Sequence, residues 1–139
     1  MYLLPPPSAL LHQKIVIADR SKKHFITPAI IVDIETIDDF LYIYNKEGIA
    51  KRFCMPMKEL MKVLKPLRAF CEVKKGKMVN IYEMNFQDAG SQKLEMSNGR
   101  TIVVSHRGHE KLWDMFLKIE TVNLQYVIPF SNPEPALTD

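Results

Sequence analysis

Three clusters of side chains carry groups able to do chemistry. His106-Arg107-Gly108-His109 sets two histidines three residues apart, a spacing that puts both imidazoles on one helix face within reach of a metal ion. Neither Cys54 nor Cys71 lies near them in sequence, and no HExxH pattern supplies further ligands, so no metal is expected. Ser105 beside His106 pairs a nucleophile with a base in name only. No GxSxG turn surrounds the serine, and sequence neighbours rarely reach triad geometry. Asp38-Asp39 would point to opposite faces of a strand, which makes a poor acid–base pair; a charged loop suits them better. The five glycines are scattered single turn residues and form no phosphate-cradling loop. The expectation is a protein that is not an enzyme, with no cofactor and no small-molecule substrate.

The third cluster is basic. Lys74-Lys75-Gly76-Lys77 ends a segment, Asn45 to Lys77, that holds ten Lys or Arg against three Glu, a net of +7. The whole chain carries only +3, so the segments on either side are weakly acidic. A local basic field on a nearly neutral chain suits a polyanion such as nucleic acid. Charge alone is served slightly better by a merely solvated basic face.

The elements that must position these groups are short. Lys14–Ala18 and His24–Thr27 read as strands around an Asp19–Lys22 turn, and Ile30–Ile34 as a third. Phe40–Tyr44 and Ile49–Phe53 flank Asn45-Lys46-Glu47-Gly48, a hairpin turn in which Gly takes a positive φ. Met57, Leu60, Met61 and Leu64 then form one helical stripe of core residues, opened by Pro56 and ended by Pro66. Strand character returns at Ala69–Val73 and Lys77–Met84. Gln92–Met96 and Arg100–Val104 make a hairpin around Ser97-Asn98-Gly99. A second helix carries Leu112, Met115, Phe116 and Ile119, with Ser105 as its N-cap. Leu124–Ile128 reads as one more strand before a loose tail.

With 139 residues the chain is long enough for one domain with a true core. Apolar residues make up 47% and charged residues 25%, the balance of a soluble globular protein. No apolar run approaches the roughly 20 residues that span a bilayer, so no membrane partner is expected. The first residues lack a basic n-region and are interrupted by Pro5-Pro6-Pro7, from which a cytoplasmic location is expected. Cys54 and Cys71 have no CxxC spacing and read as buried free thiols. The organisation is a Pro-rich arm over residues 1–12, a domain over 13–120, and a C-terminal strand and tail over 121–139.

Residues 70–80 carry a more specific signal. Phe70, Lys75 and Val79-Asn80 stand five residues apart in turn, a pattern that resembles the signature of LytTR-type DNA-binding domains, the output domains of bacterial response regulators. The family's later motifs have counterparts in Ile81–Met84, Leu94-Glu95-Met96, Asn98-Gly99 and Val104-Ser105-His106-Arg107. Upstream, Asp33-Ile34, Phe40–Gly48 and Met57-Lys58-Glu59-Leu60 resemble its strand start, hairpin and Leu-x-x-Leu helix. The similarity spans roughly residues 14–118.

The resemblance implies a mainly β fold, short antiparallel strands in an elongated sandwich-like arrangement with two short helices. It implies duplex DNA as partner, bound by loops entering the major groove, with a dimer on DNA. Carried over residue by residue, the contacts are Lys75 and Arg107, supported by Lys74, Lys77, Ser105 and His106, with Asp39 and Phe40 as a weaker third point. Asn80 is expected to be a structural hydrogen-bonder. Two departures stand out. The family commonly has Arg where this chain has Lys75, which lacks the bidentate fork, and Asp38-Asp39 would face phosphates unfavourably. Two readings follow: a stand-alone LytTR-type transcriptional regulator, or a degenerate module of the same fold that binds a protein and no longer reads DNA.

Overall fold

The computed structural model describes residues 10–88 and 92–122, and among these the protein is ten strands and two α-helices. Alternating apolar residues build a central antiparallel sheet of five strands: β3 (Asp33–Ile37), β4 (Phe40–Tyr44), β5 (Ala50–Phe53), β6 (Phe70–Lys74) and β7 (Lys77–Asn80). Their order is β5-β4-β3-β7-β6, so β5 and β6 are the edges. Ile34 pairs with Ile43 and Met78, which places three apolar side chains in a row on one face.

That face is covered by a hairpin, β1 (Ile15–Asp19) with β2 (Lys22–Ile26), and by helix α1 (Met57–Leu64). Leu60 and Leu64 of the helix stripe have no exposed surface, each burial contributing about 2 kcal/mol. Leu11 already belongs to this core. A three-stranded sheet of β8 (Met84–Asp88), β9 (Lys93–Met96) and β10 (Thr101–Val103) packs with helix α2 (His106–Val122) on the opposite side. Its core joins Cys71, Val73 and Val79 to Leu94, Ile102, Val104 and Leu112. The expected mainly β, layered architecture is present.

Two expected strands are broken. Ile30–Ile34 divides into a 3-10 turn at Pro28–Ile30 and strand β3 from Asp33, because Pro28 sets a tight turn at the start. The Lys77–Met84 run is interrupted by a 3-10 turn at Ile81–Glu83. Asn80 causes it: its side chain accepts from the Tyr82 N–H at 3.0 Å and donates to the Ile31 carbonyl at 2.9 Å. Asn80 is thus the structural hydrogen-bonder expected of it. Of the two free thiols, Cys71 is buried but Cys54 is half-exposed, contrary to expectation. Cys54 follows the last residue of edge strand β5, where nothing covers it completely. The suggested strand at Leu124–Ile128 lies outside the described residues.

Candidate nucleic-acid interface

The site is built on an irregularity in β6. Strands β6 and β7 pair as Glu72 with Met78 and then Lys74 with Lys77, a shift that places Val73 in a bulge. The Val73 carbonyl is left free of the ladder and accepts from Ser105 N at 2.9 Å and Ser105 Oγ at 3.1 Å. Ser105 Oγ also accepts from the Gly108 N–H at 2.9 Å, so one serine caps α2 and ties its first turn to the strand edge. Helix and strand touch backbone to backbone. A Cβ on Gly108 would lie 1.8 Å from the Val73 carbonyl oxygen, so only glycine fits.

This docking sets the N-terminus of α2 beside the β6–β7 turn. The turn is two residues, Lys75-Gly76, with Gly76 at φ +80°. Between turn and helix lies a depression of about 200 Å³ lined by Glu72, Lys74, Lys75, Ser105, Arg107 and Lys111 among others. Lys74, Lys75, Arg107 and Lys111 are all exposed, and Glu72 is the single carboxylate, 3.9 Å from Lys111. The first turn of α2 has no acidic residue, so its unpaired N–H groups and dipole add to the positive field. Four cations around a cavity of that size concentrate positive charge, the field that suits a phosphate-like anion. The guanidinium of Arg107 adds a planar fork.

The same pole holds more. Thr36 N donates to the Gly76 carbonyl at 2.8 Å, which brings the β3–β4 turn alongside. That turn is Asp38-Asp39, with Asp38 at φ +56°, the charged loop expected of these carboxylates. A groove of about 480 Å³ runs from Asp38 and Asp39 past Cys54 and Met57 to Lys75. Phe40 begins β4, and its ring carries the Arg52 guanidinium at 4.4 Å.

The structure therefore gathers Lys74, Lys75, Ser105 and Arg107 in one depression and places Asp39 next to it. Lys77 is elsewhere: it forms an ion pair with Glu35 beneath the second sheet. His106 faces Glu110 at 3.7 Å, and His109 meets the Trp113 ring edge-on. Among the described residues no group of three or more His, Cys, Asp or Glu side chains comes together. The basic segment from Asn45 to Lys77 does not form one face. Lys46 reaches Glu83 at 3.7 Å at the other end of the sheet, and Lys62 pairs with Glu59 on α1.

Sequence reasoning passed over Lys111 and Arg52. Lys111 had a signal, since it stands four residues after Arg107 and so shares its helix face. Arg52 had none, because its contact with Phe40 depends on the pairing of β4 with β5.

A second ionic cluster lies between the sheets. Arg100, in the turn before β10, donates from Nε to Asp33 Oδ1 at 2.9 Å and from a terminal nitrogen to Glu35 Oε1 at 3.3 Å, over the Tyr44 ring. Asn98 adds a hydrogen bond to Asp33 Oδ2 at 3.2 Å. Burial raises the Asp33 carboxyl above its ordinary value, and Arg100 and Asn98 only partly offset it. Burial also pushes Glu35 upward, but Lys77 and Arg100 outweigh it and hold that carboxyl below its ordinary value. Burial raises the Cys71 thiol to about 11, which makes it an inert core thiol.

No family model and no curated protein sequence matches this chain. Among solved structures, the LytTr DNA-binding domain of a protein from Bacillus cereus is similar, with a TM-score of 0.59 and 17% identity over 75% of this chain and 96% of that one. The chain has a LytTR-type fold. Among the described residues no helix is long and apolar enough to cross a membrane.

Proposed function

We propose that this protein binds duplex DNA sequence-specifically and acts as a transcriptional regulator, without catalysing a reaction. The reading rests on one observation: Lys74, Lys75, Arg107 and Lys111 converge with the Ser105 cap around a single depression, on a fold shared with a LytTr DNA-binding domain. Phosphate contacts fix position and guanidinium forks read base edges, and the depression offers both kinds of group. In this reading Lys75 and Lys74 hold phosphates, Arg107 reads a guanine edge as the β6–β7 turn enters the major groove, and two copies occupy a repeated site. Lys77 is left out, because its charge is already matched by Glu35.

The test is binding of the chain to a pool of random-sequence duplexes, with the enriched site then titrated against salt. Affinity falls steeply as salt rises. Lys75→Ala weakens binding uniformly across sequences, roughly tenfold at low salt, and lowers the salt slope by about one. Arg107→Ala costs about 1–3 kcal/mol on the enriched site and relaxes its sequence. Unchanged affinity in both variants removes the depression from the interface.

A second reading has its own observation. Asp38 and Asp39 line the groove that reaches Lys75, an acidic wall that repels phosphate. A protein partner with a basic segment would suit that groove, and enrichment of no duplex by the parent chain would favour it.

A further inference from the structure

The β3–β4 turn presents two carboxylates where the proposed interface needs a donor, yet the strand next to it supplies one. Arg52 lies near the end of β5, exposed, with Tyr42 as its register partner on β4. Its guanidinium does not point freely into solvent: it rests on the half-buried Phe40 ring, 4.4 Å from the centroid. Phe40 follows Asp39 directly and pairs with Ile37 across the turn. The aromatic face thus fixes the fork beside the turn while leaving its N–H edge open to a partner.

We infer that Arg52, held on Phe40, is a second base-reading side chain of the DNA interface and takes the place of the acidic β3–β4 turn. The inference rests on the duplex-binding reading of this pole. A stacked guanidinium loses little freedom when it donates two parallel bonds, so this arrangement suits bidentate recognition of a guanine edge.

The sheet separates the two readers. β5 and β6 are opposite edges of the five-stranded sheet, so Arg52 and the Lys75–Arg107 depression stand on different parts of it. In this assignment Arg52 and Arg107 contact different base pairs within one bound site.

The experiment uses the full chain and the duplex enriched from a random-sequence pool, with each base pair of the site substituted in turn. Arg52→Lys keeps the charge and loses the fork; the ratio of specific to random-duplex affinity is expected to fall about tenfold. The relaxed positions differ from those relaxed by Arg107→Ala. Phe40→Leu removes the stacking face and lowers the same ratio by a smaller factor. Adding Phe40→Leu to Arg52→Lys lowers it no further. Thermal melting of each variant near that of the parent separates lost reading from lost folding. An unchanged ratio in Arg52→Lys, or relaxation at the Arg107 positions, overturns the assignment of Arg52 while the duplex-binding reading stands. Enrichment of no duplex by the parent chain overturns both.

Discussion

Two ionic clusters of this protein are built from the same residue types and end in opposite states. Beneath the β9–β10 tip, Arg100 and Lys77 meet Asp33 and Glu35, and Asn98 fills a remaining acceptor. At the α2 pole, Lys74, Lys75, Arg107 and Lys111 share a depression with Glu72 alone. Cations in the first cluster are consumed by the fold; those in the second are offered outward. A basic count along a sequence does not distinguish the two, since Lys75 and Lys77 are two residues apart and fall on different sides of the division. What decides is whether a neighbouring strand supplies carboxylates, as β3 does for Lys77 through its register partner Glu35. Only partner availability, a tertiary property, decides whether a lysine's charge is matched within the fold.

The sharpest way to break the open cluster is to lift the helix that forms one of its walls. Gly108→Ala forces a methyl group onto the Val73 carbonyl, a backbone atom that has no side-chain rotation to give. The expected cost is about 3 kcal/mol or more, measured by urea unfolding, with loss of duplex affinity because Arg107 and Lys111 move away from Lys75. A fully stable variant would mean that α2 does not dock on β6 as described.

Breaking the closed cluster has a different signature. Arg100→Met leaves Asp33, of which 1% of the side chain is exposed, without its cation. Loss of about 2–3 kcal/mol is expected, toward the lower side for a buried pair because Arg100 itself is partly exposed. Duplex affinity per folded molecule stays unchanged. Weaker binding with intact stability would erase the division between the clusters. Ser105→Ala is milder. It removes one cap and one strand contact, for about 1 kcal/mol, and frays the wall that holds Arg107. Hydrogen exchange over the first turn of α2 reads this directly.

The legibility of these features follows their range along the chain. The Asn45–Gly48 turn, the Asn98-Gly99 turn, the α1 stripe and the Ser105 cap all depend on neighbours within a few residues, and each stands where the sequence places it. Lys75, Ser105 and Arg107 were legible as candidates through motif order. Their convergence was not, because it requires the Val73 bulge. The Lys77–Glu35 pair joins residues 42 apart and Arg100–Asp33 residues 67 apart. Periodicity carries no information at that distance. The 3-10 turn at Ile81–Glu83 was hidden for a similar reason: Asn80 is held from Ile31, across the layer.

The smallest effect lies in how the closed cluster titrates. Glu35 is held below its ordinary value of 4.5, so its stabilising contribution is full above that pH and is lost as pH falls through the depressed folded value. Asp33 runs the other way. Its folded value lies above 3.8, so protonation favours the native state, and charged Asp33 costs stability that is relieved as pH falls. The two carboxylates therefore pull the parent's stability in opposite directions as pH falls. Lys77→Met removes the partner that does most to hold Glu35 down and leaves Arg100 in place. The Glu35 carboxyl then titrates at higher pH, visible in its side-chain carboxyl carbon shift. The stability difference from the parent, about 1 kcal/mol or less for a pair this exposed, is largest near neutral pH and shrinks as Glu35 becomes protonated. A Glu35 midpoint that does not move in Lys77→Met would release Lys77 from the closed cluster and return it to the open one.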